Sequence, residues 1–247
     1  MTQSDLAAEA NISARHLSFL ETGKAQPSRE MVIRIGGYLE MPLRQQNVLL
    51  SAAGFAAAFQ ERSLEELTSA HQAIEQILQA HKPYPAFAVD RHWNIILSNR
   101  AIPQLYVDCS PEILRAPVNA VRLMLHPRGL APKIVNLAQW RAHVIEVLRQ
   151  QVESTADRDI EALLGEVLAY PTARMKTVAM AGEGAQRYAT PLQIATEAGI
   201  VSFLNTTTVF GSPSDVTLSE IALEMLFPGD AETVAIVEAL THSGAAK

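Results

Sequence analysis

The first 54 residues carry helix-capping and helix-stopping residues at such short intervals that only small helices joined by tight turns can form. Thr2, Ser13 and Ser28 each precede a stretch with apolar residues at helical spacing, and side chains of this type cap helix N-termini. Asn11 and Gly23 fall between these stretches, and both residue types tolerate the left-handed backbone of a sharp turn. The pattern predicts four helices, over residues 2–10, 13–21, 29–40 and 42–53.

Two short helices joined by a tight turn make a helix-turn-helix, which the first two predicted helices would form. In the second of them, Leu17 and Leu20 are expected to point inward, which leaves Arg15, His16 and Ser18 on the outer and flanking faces. A guanidinium can grip a guanine edge or a phosphate, and hydroxyl and imidazole groups can donate to base edges. The pattern therefore predicts DNA contacts, while a helical hairpin that only packs remains the alternative.

The same residues match a known motif, spelled Thr2-Gln3-x-x-Leu6-Ala7 and then Ile12-Ser13-x-x-x-Leu17-x-x-Leu20-Glu21-x-Gly23-Lys24-x-x-Pro27-Ser28. Residues 2–28 closely resemble the phage-repressor-like (XRE) DNA-binding family. The resemblance implies that Gln3 lies near a phosphate or an adenine edge and that Lys24 meets the DNA backbone. The predicted DNA-binding residues are Gln3, Ser13, Arg15, His16, Ser18 and Lys24.

Members of that family carry a helix before the Thr-Gln motif, whereas this sequence starts immediately before it. Without that first helix, we expect Leu17, Val32, Ile35 or Leu39 to expose apolar surface to water. We also expect residues 1–54 alone to fold poorly, because a small module depends on every buried side chain.

The charge divides unevenly along the chain. Residues 1–62 carry six acidic and six basic side chains, so the whole formal charge of −6 lies in residues 63–247. This balance excludes a globally basic nucleic-acid coat, and an apolar content of 48% excludes global disorder. The asymmetry predicts a helix-turn-helix domain over residues 1–62 and a second domain over residues 63–247.

The second domain mixes helix and strand signals. Ser63 and Glu66 have the spacing of a capping box, which predicts a connecting helix to about Ala80. Strands are predicted over residues 86–89, 93–97, 193–196, 200–209 and 216–225, and helices over residues 116–125, 132–152, 159–169 and 230–242. The order predicts an α+β protein, in which an antiparallel sheet with inserted helices follows the all-α N-terminal domain.

A second resemblance rests on Pro85-Ala86-Phe87-x-x-Asp90-Arg91-x-Trp93-x-Ile95-x-x-x-Asn99-Arg100-Ala101, on His126-Pro127-Arg128 and Trp140, on Leu148-Arg149 and on Asp157/Asp159. Residues 83–210 resemble the MmyB-like ligand-binding domain of bacterial regulators. The resemblance implies a PAS-like fold with a small-molecule site between the sheet and its helices. We expect an apolar ligand such as a fatty acid, in a pocket lined by Trp93, Leu123, Trp140, Leu148, Phe203 and Phe227.

The residues predict no catalytic or metal site and no obligatory cofactor. The seven histidines show no H-x-x-x-H or H-E-x-x-H spacing, and Gly182-Glu183-Gly184 is too short for a phosphate loop. Asp157 and Asp159 are interpreted as part of a solvated face. Cys109 is the only cysteine, so it forms no intrachain disulfide, and it is expected to be structural.

The sequence has no run of roughly 20 apolar residues and no signal peptide, which predicts a cytoplasmic protein without a membrane partner. The preferred hypothesis is a one-component transcription regulator that binds double-stranded DNA as a homodimer and senses a small apolar ligand. A protein-protein interaction module without ligand-gated DNA binding is the alternative, followed by an enzyme built on the second domain.

Overall fold

A computed structural model describes residues 2–101, 105–106, 108–171 and 190–244, with side chains up to residue 240. The Gly182–Gly184 segment lies outside the described residues. The chain divides into two compact units: Met1–Leu67 with Gly211–Ser219, and Thr68–Phe210 with Glu220–Lys247. The first is helical and the second contains the sheet, so the predicted α+β class is confirmed.

The first unit opens with four helices, α1 Gln3–Glu9, α2 Ala14–Glu21, α3 Arg29–Tyr38 and α4 Leu43–Ala52. The predicted caps are confirmed, because the side chains of Thr2, Ser13 and Ser28 each accept a backbone N–H from the first turn. Each bond satisfies a donor that a helix N-terminus otherwise leaves unpaired. Asn11 and Gly23 have φ values of 53° and 69°, as the predicted turns require.

The apolar surface of the first unit is only partly as expected. Leu17 and Val32 are each 3% exposed, because they lie inside the packing of α1, α2 and α3. Leu39 is 44% exposed and borders an apolar groove of about 570 Å³, which Ile35 and Leu49 also line. The expectation of exposed apolar surface is confirmed at Leu39 and is wrong for Leu17 and Val32.

The described part of the second unit is built on a five-stranded antiparallel sheet in the order β2-β1-β5-β4-β3. The two hairpins, β1 with β2 and β3 with β4, flank β5, which comes last in sequence but lies at the centre. The strands are β1 Ala86–Val89, β2 Ile95–Ser98, β3 Leu192–Thr196, β4 Gly199–Val209 and β5 Ala222–Pro228.

Among the described residues of this unit, the helices before the second hairpin include α5 Thr68–Ala80, α6 Ala120–Leu125, α7 Leu137–Thr155 and α8 Arg158–Ala169. Helix α6 begins later than predicted, because Asn119 caps it by accepting the Arg122 N–H at 3.1 Å. Helix α7 also begins later, because Ala131–Lys133 forms a separate 3₁₀ turn.

The capping box predicted at Ser63 is present, but it does not open a helix. The Ser63 N–H donates to Glu66 Oε2 at 2.9 Å, and the Glu66 N–H donates to Ser63 Oγ at 3.4 Å. These bonds close a turn, and α5 begins only at Thr68. Ile74 and Leu78 of α5 are buried, whereas Ile77 is exposed.

The strand predicted over residues 216–225 is wrong in its first half. Val216–Ser219 forms a short helix, α9, which packs on α4, and β5 starts after it. Asp215 causes the turn, because its Oδ1 accepts the Thr217 N–H at 3.0 Å. The buried Asp215 carboxylate also accepts Arg62 Nε–H at 2.9 Å, which holds this segment within the first unit. The last helix, α10, covers Ala231–Gly244.

The main core lies between one face of the sheet and α7. Ile194, Phe203 and Leu226 contribute from the strands, and Trp140 and Leu148 contribute from α7. All five side chains are at most 2% exposed. Their burial removes several large apolar surfaces from water and places β4 and β5 against α7.

Candidate functional site

The outer side of α2 presents the side chains that the helix-turn-helix pattern singled out. Arg15 is exposed, His16 and Ser18 are half-buried, and Leu17 anchors the helix inward. Ser13 Oγ accepts the His16 N–H at 3.1 Å, so this hydroxyl fixes the start of the helix. The structure therefore brings these residues together at one end and one side of α2.

Two contacts orient side chains around α2. The Arg15 guanidinium lies 5.3 Å from the centre of the Phe19 ring, a cation–π distance that leaves its N–H donors available. Gln3 Nε2 donates to Glu21 Oε2 at 2.5 Å, which links the start of α1 to the end of α2. Gln3 is exposed, and this contact fixes the direction of its amide.

The cations of the first unit fall into two groups. Arg34 donates to the Ala10 carbonyl at 3.0 Å, and Arg62 pairs with a buried carboxylate. Arg44 pairs with Glu61, so all three of these arginines are engaged within the fold. Arg15, Lys24 and Arg29 are exposed and have no carboxylate partner within the described residues. Sequence reasoning missed Arg29, which directly follows the Ser28 cap and so lies in the first turn of α3.

The six predicted pocket residues occupy different positions in the second unit. Trp140, Leu148, Phe203 and Leu123 are buried in the core. Trp93 is half-buried, and its Nε1–H donates to a glutamine of α7, Gln151, at 2.8 Å. Phe227 is 41% exposed, and its ring stands edge-on to the His81 ring at 4.6 Å.

Two adjoining pockets lie between the sheet and the helices. The central pocket, of about 70 Å³, is lined by Trp93 and Trp140, and the inner pocket, of about 20 Å³, is lined by Leu123. Phe87, Ala120 and Met124 line both, so the two pockets are neighbours.

A third pocket, the edge pocket, lies beside β3 and β4. It has a volume of about 340 Å³ and is lined by Phe203. Its polar wall includes Lys133, whose Nζ donates to Asp108 Oδ2 at 2.5 Å. Leu148 and Phe227 line none of the central, inner and edge pockets.

A buried carboxyl group in the central pocket was not recognised from the sequence. Glu224 on β5 is 3% exposed and accepts hydrogen bonds from Asn205 Nδ2 at 2.6 Å and Thr207 Oγ1 at 3.0 Å. Burial raises the pKa of Glu224 above its ordinary value, although these two bonds oppose the shift. The only sequence signal was an acidic residue within an apolar strand.

The sequence suggested that Asp157 belongs to a solvated face, and the structure shows that this interpretation is wrong. Asp157 caps α8, and its Oδ2 lies 3.1 Å from His92 Nε2 and 3.6 Å from Arg91 Nη1. Burial acts to raise the pKa of Asp157, but the Asp159 amide and His92 outweigh it and the pKa falls. His92, Asp157 and the exposed Asp159 have the spacing of metal ligands, but the neighbouring Arg91 guanidinium already supplies a positive charge.

A comparison with known families identifies the family of the second unit. Residues 70–240 match the family described as MmyB-like transcription regulator ligand binding domain, which is more than half of the chain. The chain belongs to this MmyB-like family. Residues 1–45 match a family described as helix-turn-helix, in agreement with the resemblance seen in the sequence. No curated protein matches the chain.

The MmyB-like match includes all five described strands and the residues that line the central and inner pockets. Together the two matches identify a DNA-binding transcription regulator with a ligand-binding domain. Within the described residues, no helix is long and apolar enough to cross a membrane.

Proposed function

We propose that this MmyB-like protein is a one-component transcription regulator whose MmyB-like domain senses a small apolar molecule carrying an acyl chain. Residues 1–62 form the body of the DNA-binding domain, to which residues 63–67 and 211–219 are joined in the first compact unit, and the rest of residues 63–247 forms the ligand-binding domain. The protein acts by binding, with no catalytic step and no obligatory cofactor. The observation that carries the proposal is the capped helix α2, which presents an exposed Arg15 in a chain that also holds an MmyB-like domain.

On the DNA side, Arg15, His16 and Ser18 reach base edges from α2. Gln3 contacts a phosphate or an adenine edge, and Lys24 contacts the DNA backbone. A helix of eight residues reads few base pairs, so two copies of the chain bind a near-palindrome as a homodimer.

On the ligand side, the central and inner pockets hold the apolar molecule. Phe87, Ala120 and Met124 line both pockets, so the two adjoin across apolar side chains. The central pocket lies against both β4 and β5, through Asn205 and Glu224. Binding here favours one arrangement of these two strands over others.

The connection between β4 and β5 offers a route from the ligand to the DNA-binding domain. Residues Gly211–Ser219 join the two strands, yet they belong to the compact unit of the first four helices. The Arg62–Asp215 ion pair and the packing of α9 on α4 hold them there. A ligand that shifts β4 or β5 therefore also displaces residues 211–219 of the DNA-binding unit. Such a displacement can change the free energy of DNA binding, which is what allosteric coupling between the two sites requires.

Organic extraction of the purified full-length chain, followed by mass spectrometry, tests the ligand side. The proposal expects a stoichiometric apolar compound that contains an acyl chain, and an extract without one contradicts it.

Gel shifts with genomic upstream DNA test the proposed DNA binding, and they distinguish a transcription regulator from a protein-protein interaction module. Regulator binding weakens steeply between about 50 and 200 mM salt, because phosphate contacts release counterions.

A further inference from the structure

Helix α7 lines cavities on two of its sides. Trp140 and Val147 line the central pocket. Leu137, Arg141 and Ile145 recur at intervals of four residues, so they share a different side of the helix, and they line a second cavity that we call the α7 groove. No described residue lines both cavities, so the α7 groove is separate from the central pocket.

The α7 groove has the size and the lining of a small-molecule site. Its volume is about 510 Å³, within the range of roughly 300–1,000 Å³ that is usual for ligand pockets. Leu125 of α6, Pro132 of the 3₁₀ turn and Ile145 of α7 contribute to its apolar walls. Such a surface favours a ligand with an apolar body.

Arg141 is the one charged side chain among the described residues of the groove. Its Nη2 donates to the carbonyls of Val167 and Leu168, at 2.9 and 3.1 Å, which fixes the guanidinium beside the end of α8. Within the described chain no carboxylate pairs with this half-buried group, and nothing accepts a hydrogen bond from its Nη1. A guanidinium without a counter-ion beside apolar walls is suited to an anion.

The aromatic wall of the groove adds no negative charge. Tyr170 donates its hydroxyl to Glu166 Oε1 at 2.5 Å, and Arg122 Nη2 lies 2.8 Å from Glu166 Oε2. Burial and the bond to Glu166 raise the pKa of Tyr170, so the phenol stays neutral near pH 7. Because Arg122 compensates the charge of Glu166, the charge of Arg141 remains for a ligand.

We propose that the α7 groove is a second ligand site, which binds a small monocarboxylate with an apolar body. The carboxylate accepts from Arg141 Nη1, and the apolar body lies against Leu125, Pro132 and Ile145. One guanidinium balances one negative charge, so a monoanion fits better than a phosphate dianion. This inference goes beyond the proposed function, because the central pocket lies on a different side of α7.

Methyl NMR titrations of the full-length chain with octanoate and octanamide at pH 7.5 test the inference. The two probes share one chain length and differ in the charge of the head. The methyl groups of Ile145 report the α7 groove, and those of Val147 report the central pocket. At Ile145, octanoate is expected to bind at least about tenfold more tightly than octanamide, because charge-assisted hydrogen bonds are the stronger ones.

A pair of α7 variants assigns this preference to one guanidinium. Arg141→Gln is expected to remove most of the preference for octanoate at Ile145. Arg149→Gln, at an exposed position of the same helix, is expected to leave it unchanged. Arg141 also contacts the end of α8, so the comparison of the two probes on the wild-type chain decides the inference without the variants.

The outcomes separate this inference from the proposed function. If octanamide saturates the Ile145 signals of the wild-type chain at the same concentration as octanoate, recognition of charge by the groove is wrong. If octanoate leaves the Ile145 signals unchanged, the groove is not a site for such acids. Neither result decides the proposed function, which is contradicted instead by an organic extract without an acyl-chain compound.

Discussion

Single residues of the DNA-binding unit differ in what they can recognise. Arg15 lies on the outer side of α2, where a guanidinium can read a base, whereas Lys24 lies beyond the end of the helix. Neither has a carboxylate partner in the described chain, so both charges are available to DNA. Their positions predict different roles in binding.

Arg15→Ala is expected to cost about 1–3 kcal/mol of specific binding, because a bidentate base contact is lost. Lys24→Ala is expected to weaken binding to all DNA sequences, because a phosphate contact is lost. The slope of the logarithm of the binding constant against the logarithm of the salt concentration is expected to fall by about one in magnitude. Gel shifts with specific and random DNA at several salt concentrations measure both effects. Equal specific binding by the wild type and Arg15→Ala at moderate salt would remove Arg15 from the interface.

Glu224 makes stability depend on pH. Burial raises its pKa above the ordinary value of 4.5, so the folded chain holds this proton more tightly than the unfolded chain. The contribution of the group to stability is therefore complete below about pH 4.5 and is lost as the pH rises through the folded pKa.

Glu224→Gln is expected to raise the melting temperature at pH 8 and to leave it nearly unchanged at pH 4, where the native carboxyl is already neutral. Thermal melts across this range measure the difference, with Glu153→Gln as the exposed control. A difference between Glu224→Gln and the wild type that is the same at every pH would contradict the account.

Helix ends were predictable from single residues, but the polar cluster of the pocket was not. Ser13, Ser28 and Asn11 act through their own side chains and backbone, so their roles follow from local chemistry. Glu224 meets Asn205 only because β4 and β5 pair in one register, which no local pattern specifies.

Among the elements, α2 depends most visibly on its cap. Ser13→Ala removes the hydrogen bond to the His16 N–H and is expected to cost about 1 kcal/mol of local stability. Ser13→Thr keeps a side-chain acceptor and serves as the matched control. Hydrogen exchange of the α2 amides in the full-length chain measures the effect, and exchange as slow in Ser13→Ala as in the wild type would contradict it.

The predicted strand over residues 216–225 shows why some element boundaries escape sequence reasoning. Its residues favour strands, but Asp215 is buried and paired with the distant Arg62, and it turns the chain into α9. The tertiary contact outweighs the local preference. The same contact assigns residues 211–219 to the first unit, which the sequence-based division of the chain did not include.

For the whole molecule, a homodimer imposes a spacing on its operator. Half-sites lie about 10 base pairs apart, so that both α2 helices meet the same side of the DNA. Inserting about 5 base pairs between them is expected to abolish tight binding, and inserting about 10 is expected to restore much of it. Gel shifts with the three spacings measure this, and binding that is indifferent to the 5-base-pair insertion would contradict a symmetric dimer.

The central claim is that this MmyB-like protein recognises a specific DNA sequence. Selection of genomic fragments by the full-length chain at about 150 mM salt, followed by sequencing and affinity measurement, tests it most directly. The account predicts a near-palindromic site bound at least about 10³-fold more tightly than random DNA. Recovery of fragments with no shared sequence, bound no more tightly than random DNA, would contradict it.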